Sequence, residues 1–123
     1  MEKQLVMVIE QDHSILEVIT MLLEGNGFHV LKYLTPPALP LSDQPDLILL
    51  DIGYNSKQNR AFYDALKPES TTETKPIILL STLNGLSDVA RGWKADAFIS
   101  KPFDISVLLS TVEFVLSSHK QCI

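Results

Sequence analysis

Short apolar runs alternate with amphipathic stretches along the whole chain. Leu5-Val6-Met7-Val8-Ile9 is continuous and β-branched, as in a strand buried on both faces. A helix is predicted next, with Ile15, Val18, Ile19, Leu22 and Leu23 on one stripe. Ser14 with Glu17 reads as a capping box at its start, and Gly25-Asn26-Gly27 as a left-handed stop. Residues 28–34 read as a second strand and Leu47-Ile48-Leu49-Leu50 as a third, stopping at Asp51. Pro76-Ile77-Ile78-Leu79-Leu80 is a fourth, ending at Ser81; Ala97-Phe98-Ile99-Ser100 is a fifth, running into Lys101-Pro102. Further helices are predicted over 58–67, with Ala61, Phe62, Ala65 and Leu66 inward, and over about 86–92. The last helix starts at Asp104, a good N-cap, with Val107, Leu108, Thr111, Val112, Val115 and Leu116 inward. Thr35-Pro36-Pro37-Ala38-Leu39-Pro40-Leu41 carries three prolines where a helix would otherwise stand, so a single turn or irregular crossover is expected.

Five buried strands alternating with helices imply an α/β domain, its parallel sheet covered on both faces and joined by right-handed crossovers. In such folds ligands bind beyond the carboxyl ends of the strands. The residues just past each strand are therefore the ones that carry chemistry. They are Glu10-Gln11-Asp12, Asp51, Ser81 and Lys101.

Composition narrows the class. A chain of 123 residues, 46% hydrophobic and 20% charged, is long enough for a core without staples and is neither disordered nor membrane-spanning. No signal peptide, repeat or linker is evident, so residues 1–123 read as a single domain without an output domain. One cysteine, Cys122, suits a reducing cytoplasm. A net charge of −5 argues against nucleic acid as a partner. His13, His29 and His119 lack metal-ligand spacing and read as surface residues; Trp93 is either partial core or an exposed anchor.

Acids after strands one and three, a hydroxyl after strand four and a lysine after strand five form a specific set. With Val6–Leu16, Pro45–Asp51, Pro76–Ser81 and Ala95–Phe103 in order, the chain resembles the receiver domain of two-component response regulators, the CheY-like superfamily, over essentially its whole length. The resemblance implies a flavodoxin-like, doubly wound sheet of order 2-1-3-4-5, from which the proline run departs by making the second helix short or irregular. It makes Asp51 the phosphoryl acceptor, Ser81 and Lys101 the groups that take the phosphoryl oxygens, and Phe98 the aromatic that moves with Ser81. It places Mg²⁺ on Glu10, Gln11, Asp51 and the backbone carbonyl of Gly53, and a cis bond at Lys101-Pro102. The implied partners are a histidine kinase or phosphotransfer protein, a downstream protein docking over residues 82–117, and a second copy of the chain.

Four features depart from the family pattern. Gln11 stands where an aspartate usually binds the metal, which implies weak or absent Mg²⁺. Glu10 is a methylene longer than the usual aspartate, and Asp12 could replace the lost charge only by turning inward instead of capping the first helix. Ile52-Gly53-Tyr54-Asn55-Ser56 replaces the usual segment after the acceptor, and Phe98 lacks a tyrosine's hydroxyl. Two readings are open, neither of them an enzyme. One is a stand-alone receiver phosphorylated on Asp51; the other is a degenerate receiver that binds partners without phosphorylation. A flavodoxin-type ligand protein is disfavoured, because no Gly-rich loop comes after the first strand.

Overall fold

The three central runs, Leu5–Ile9, Leu47–Asp51 and Ile77–Ser81, are buried almost throughout, as strands covered on both faces of a parallel sheet are, while the two edge runs, His29–Tyr33 and Ala97–Ser100, stay partly exposed. The computed structural model describes residues 3–39, 41–52, 56–66, 76–81 and 96–121. Its strands are β1 (Leu5–Ile9), β2 (His29–Tyr33), β3 (Leu47–Asp51), β4 (Ile77–Ser81) and β5 (Ala97–Ser100). They form one sheet in the order β2-β1-β3-β4-β5, and every neighbouring pair is parallel. Three helices are described: α1 (His13–Glu24), α2 (Ser56–Leu66) and α3 (Ile105–Gln121). Strand order reverses between β1 and β3, so a crevice is expected above their carboxyl ends.

The alternation of strand side chains divides the core into two layers. Val6, Val8, Leu47, Leu49, Ile78, Leu80 and Ile99 face α1 and α3. Met7, Ile9, Ile48, Leu50, Ile77 and Leu79 face the other way, against Phe62 and Tyr63 of α2. Between β2 and β3 no helix occurs among the described residues, and Leu41 packs there against the α2-side layer. The prolines of that segment account for the irregular path.

Two aspartates fasten the amino-terminal edge of the sheet. Asp46, just before β3, accepts the backbone N–H of Leu5 at 2.7 Å, and Asp96, just before β5, accepts that of Ile77 at 2.7 Å. Each satisfies the first donor of the neighbouring strand, which lacks a ladder partner there.

Several expectations need correction. Asp12, not Ser14, caps α1: its Oδ1 accepts from the N–H groups of Ser14 and Ile15 at 2.9 and 3.1 Å. Glu17 instead pairs with Lys32 of β2 at 3.1 Å. On α1 Ile19 and Leu23 are buried and Ile15 and Leu22 pack half-buried against the core, as the spacing predicts, but Leu16 and Thr20 also turn inward and Val18 is 48% exposed. Thr20 tolerates burial because its hydroxyl donates to the carbonyl of Leu16 at 2.7 Å. On α2 the inward residues are Asn59, Phe62 and Tyr63, while Ala61 and Ala65 are exposed, since two aromatic rings bury far more area than two methyl groups. On α3 the stripe runs through Leu108, Val112, Val115 and Leu116, and Val107 points outward. Gly27 does supply the left-handed turn after α1, at φ 90°. The helix expected over 86–92, together with Trp93 and Cys122, lies outside the described residues.

Candidate functional site

The carboxyl ends of β1, β3, β4 and β5 place four polar residues beside one another. Glu10 succeeds β1, Asp51 ends β3, Ser81 ends β4, and Lys101 succeeds β5; the first three are buried. Burial of polar side chains at strand ends demands partners. Lys101 supplies them: its Nζ lies 2.6 Å from Glu10 Oε1 and 3.3 Å from Asp51 Oδ1. The Lys101 side chain is 9% exposed, so the ammonium sits at the mouth of the crevice, not out in solvent. The Lys101 N–H donates to the carbonyl of Ser81 at 2.9 Å, which ties the lysine to the hydroxyl-bearing strand, and the Lys101-Pro102 peptide is cis.

One cation thus serves two carboxylates. Burial raises the Glu10 pKa, and the adjacent Asp51 carboxyl raises it further, against the opposing pull of Lys101 and the Asp12 N–H. Burial alone would lower the Lys101 pKa, but its bonds to Glu10 and Asp51 outweigh that and hold the ammonium protonated. Glu10 Oε2 also accepts the Asp12 N–H at 3.2 Å. Two buried carboxyl groups thus share one ammonium among the described residues, a set of hard oxygen donors suited to a divalent cation.

Gln11 is exposed, one residue from this cluster, and Asp12 is committed to capping α1. Among the described residues no three His, Cys, Asp or Glu side chains come together as a metal cluster. The buried donor set is therefore Glu10 and Asp51. That pair fits Mg²⁺, which is commonly held by one or two carboxylates with water completing its octahedron. Gly53 lies outside the described residues. Phe98 is 44% exposed on β5, its ring on the sheet face opposite Ile99.

A further residue belongs to the neighbourhood. Asn59, buried on the inward stripe of α2, donates its side-chain N–H to the main-chain carbonyl of Asp51. Sequence reasoning missed it. The available signal was a polar residue at helical spacing from Phe62, Tyr63 and Leu66, on a stripe that should be apolar.

Among the described residues no helix is long and apolar enough to cross a membrane. No family model matches the chain. Over 116 residues it is 31% identical to the phosphate regulon transcriptional regulatory protein PhoB of Escherichia coli, covering 90% of this chain and 51% of that protein. The chain spans about half the length of the curated relatives it matches. Among solved structures, the signal receiver domain of a signal transduction histidine kinase from Syntrophus aciditrophicus matches with a TM-score of 0.78 and 29% identity, covering 94% of this chain and 91% of that one. The chemotaxis response regulator CheY4 of Vibrio cholerae matches with a TM-score of 0.79 over 93% of this chain and 99% of that one, at 21% identity, a likeness of fold alone. Relatives and fold agree, and the chain is a CheY-like receiver domain, of the family that response regulators of two-component systems share.

Proposed function

We propose that this receiver is a phosphorylation-switched interaction module of the cytoplasm rather than an enzyme, and that Asp51 accepts the phosphoryl group. The observation that carries this reading is the buried ammonium of Lys101 within bonding distance of the Asp51 carboxylate. In the transfer, an Asp51 carboxylate oxygen attacks the phosphorus of a phosphohistidine on a kinase or phosphotransfer protein. The O–P bond forms as the P–N bond breaks, and the departing imidazole takes its proton from solvent. Anion meets anion in this step: like unit charges 4 Å apart repel by about 4 kcal/mol at an effective dielectric of 20. In this reading Lys101 answers part of that repulsion by turning from Glu10 toward a phosphoryl oxygen, and Ser81 donates a hydrogen bond to another. Mg²⁺, held by Glu10 and Asp51, would supply further charge neutralisation when bound. Gln11, neutral and exposed, adds little to its affinity.

The output in this reading is a population shift on the surface formed by residues 82–117. Residues 82–95 lie outside the described residues; of the remainder, Phe98, Val107 and Phe114 are exposed apolar side chains, which supports a protein partner there.

A second reading rests on its own observation. Glu10 already occupies the lysine at 2.6 Å, the state a phosphoryl oxygen would otherwise create, so a degenerate receiver could bind its partner without phosphorylation. Incubation with Mg²⁺ and acetyl phosphate, read by intact mass, separates the two. Gain of one phosphoryl group, lost in Asp51→Asn, supports the switch; no gain at any Mg²⁺ concentration supports the constitutive binder.

A further inference from the structure

Asn59 is a polar side chain in an apolar layer. It is 2% exposed, and its helical neighbours at the same face, Phe62 and Tyr63, pack against Met7, Ile9, Leu50 and Leu79. An unpaired amide there would lose its bonds to water without replacement, so its retention requires a partner. The partner is the main-chain carbonyl of Asp51. That carbonyl lies one residue past the last registered β1–β3 pair, Ile9 with Leu50, while the next amide, Ile52 N–H, still bonds to Leu80 on the β4 side at 3.0 Å. The carbonyl of the residue that bears the carboxylate is thus held from a helix, at the point where the ladder toward β1 ends.

From this we infer that Asn59 is the positioning residue of the acceptor: its amide fixes the Asp51 main chain so that the carboxylate stays 3.3 Å from Lys101 Nζ. The inference deepens the proposed function and rests on it for its consequence in phosphoryl transfer. Asn59 touches no reacting atom. It acts through the peptide of Asp51, whose Cα sets where the carboxylate can reach. Displacement of a reacting group by about 1 Å can cost on the order of 100-fold in rate, so a single lost tether is enough to be read.

The test uses two variants of the full chain. Asn59→Leu keeps the volume and removes the donor; Asn59→Ala removes the donor and leaves space. Each is first shown to unfold cooperatively. Phosphorylation by phosphoramidate with Mg²⁺ is then followed to saturation, and the ammonium resonance of ¹⁵N-labelled Lys101 is compared with that of the wild type. Both variants are expected to lower the plateau rate by about tenfold or more, with the half-saturating donor concentration within about twofold, and both are expected to move the Lys101 signal. Plateau rates at the wild-type level overturn the inference. So does a loss confined to Asn59→Ala, which would trace the effect to packing rather than donation. If the wild type itself takes no phosphoryl group, the proposed function fails, and the inference is then decided by Lys101 alone: a shifted signal in both variants upholds the tether, and an unmoved one removes it.

Discussion

Lys101 and Glu10 form an ion pair of 2.6 Å between side chains that are almost wholly withdrawn from water. The same ammonium stands 3.3 Å from Asp51, so removing the lysine deprives two buried carboxylates of the cation they share. Breaking a buried pair in this way costs about 3–5 kcal/mol. Lys101→Met is therefore expected to lose that much in urea denaturation without Mg²⁺. Glu10→Gln, which leaves one carboxylate against one ammonium, is expected to stay within about 1 kcal/mol of the wild type. Equal losses in the two variants would contradict a site organised around one shared cation.

Gln11 is exposed beside the two buried acids. Gln11→Asp adds a hard, charged oxygen ligand next to them and is expected to tighten Mg²⁺ by several-fold or more, read by calorimetry. An unchanged affinity would place residue 11 outside the reach of the metal.

Tyr63 makes the fold sensitive to alkali. Burial, with the Asp96 carboxylate adding to it, pushes the phenol from 10.0 up to about 12. Between those values the unfolded chain gives up a proton that the folded chain retains. Stability is thus fully present below pH 10 and drains away as pH rises toward 12, by on the order of 2–3 kcal/mol. Denaturant titrations from pH 9 to 12 should show this slope in the wild type and a flatter one in Tyr63→Phe.

The amino-terminal edge of the sheet yields a stability ranking. Asp96 and Ile77 exchange two bonds, the Asp96 N–H donating to the carbonyl of Ile77 at 3.1 Å in a part-buried setting, and Asp46 and Leu5 form the same reciprocal pair, the Asp46 N–H donating to the carbonyl of Leu5 at 2.7 Å. Asp46 accepts the Leu5 N–H in a more exposed setting. Asp96→Ala is expected to cost about 1–3 kcal/mol and Asp46→Ala less, by thermal unfolding. A larger loss at Asp46 would contradict the assignment.

The strands and the strand-end residues were legible because uninterrupted aliphatic runs have one economical fate, and the residue next after each run falls at one edge of a parallel sheet. Glu10, Asp51, Ser81 and Lys101 could be chosen from that alone. Helix phase was less legible. Val18 and Val107 lie on inward stripes by spacing yet point outward, and Thr20 takes an inward place because a local bond to Leu16 meets the need of its hydroxyl. The cap of α1 was misplaced because Ser14 and Glu17 have capping-box spacing, whereas Asp12 captures two N–H groups at once and releases Glu17 to Lys32. Asn59 was hard to read for a different reason, since its place on an apolar stripe marks it without saying what it bonds. A polar residue on a helix reads as surface until something shows which carbonyl it meets, and that carbonyl is eight residues away on another element.

The location of the phosphoryl group tests the whole account most directly. After reaction with acetyl phosphate and Mg²⁺, borohydride reduces an aspartyl phosphate to homoserine, and peptide sequencing by mass spectrometry finds the residue. The account predicts homoserine at position 51 and nowhere else. Homoserine at position 12, or a complete lack of reduction at 51 in a protein that does gain a phosphoryl group, would contradict it.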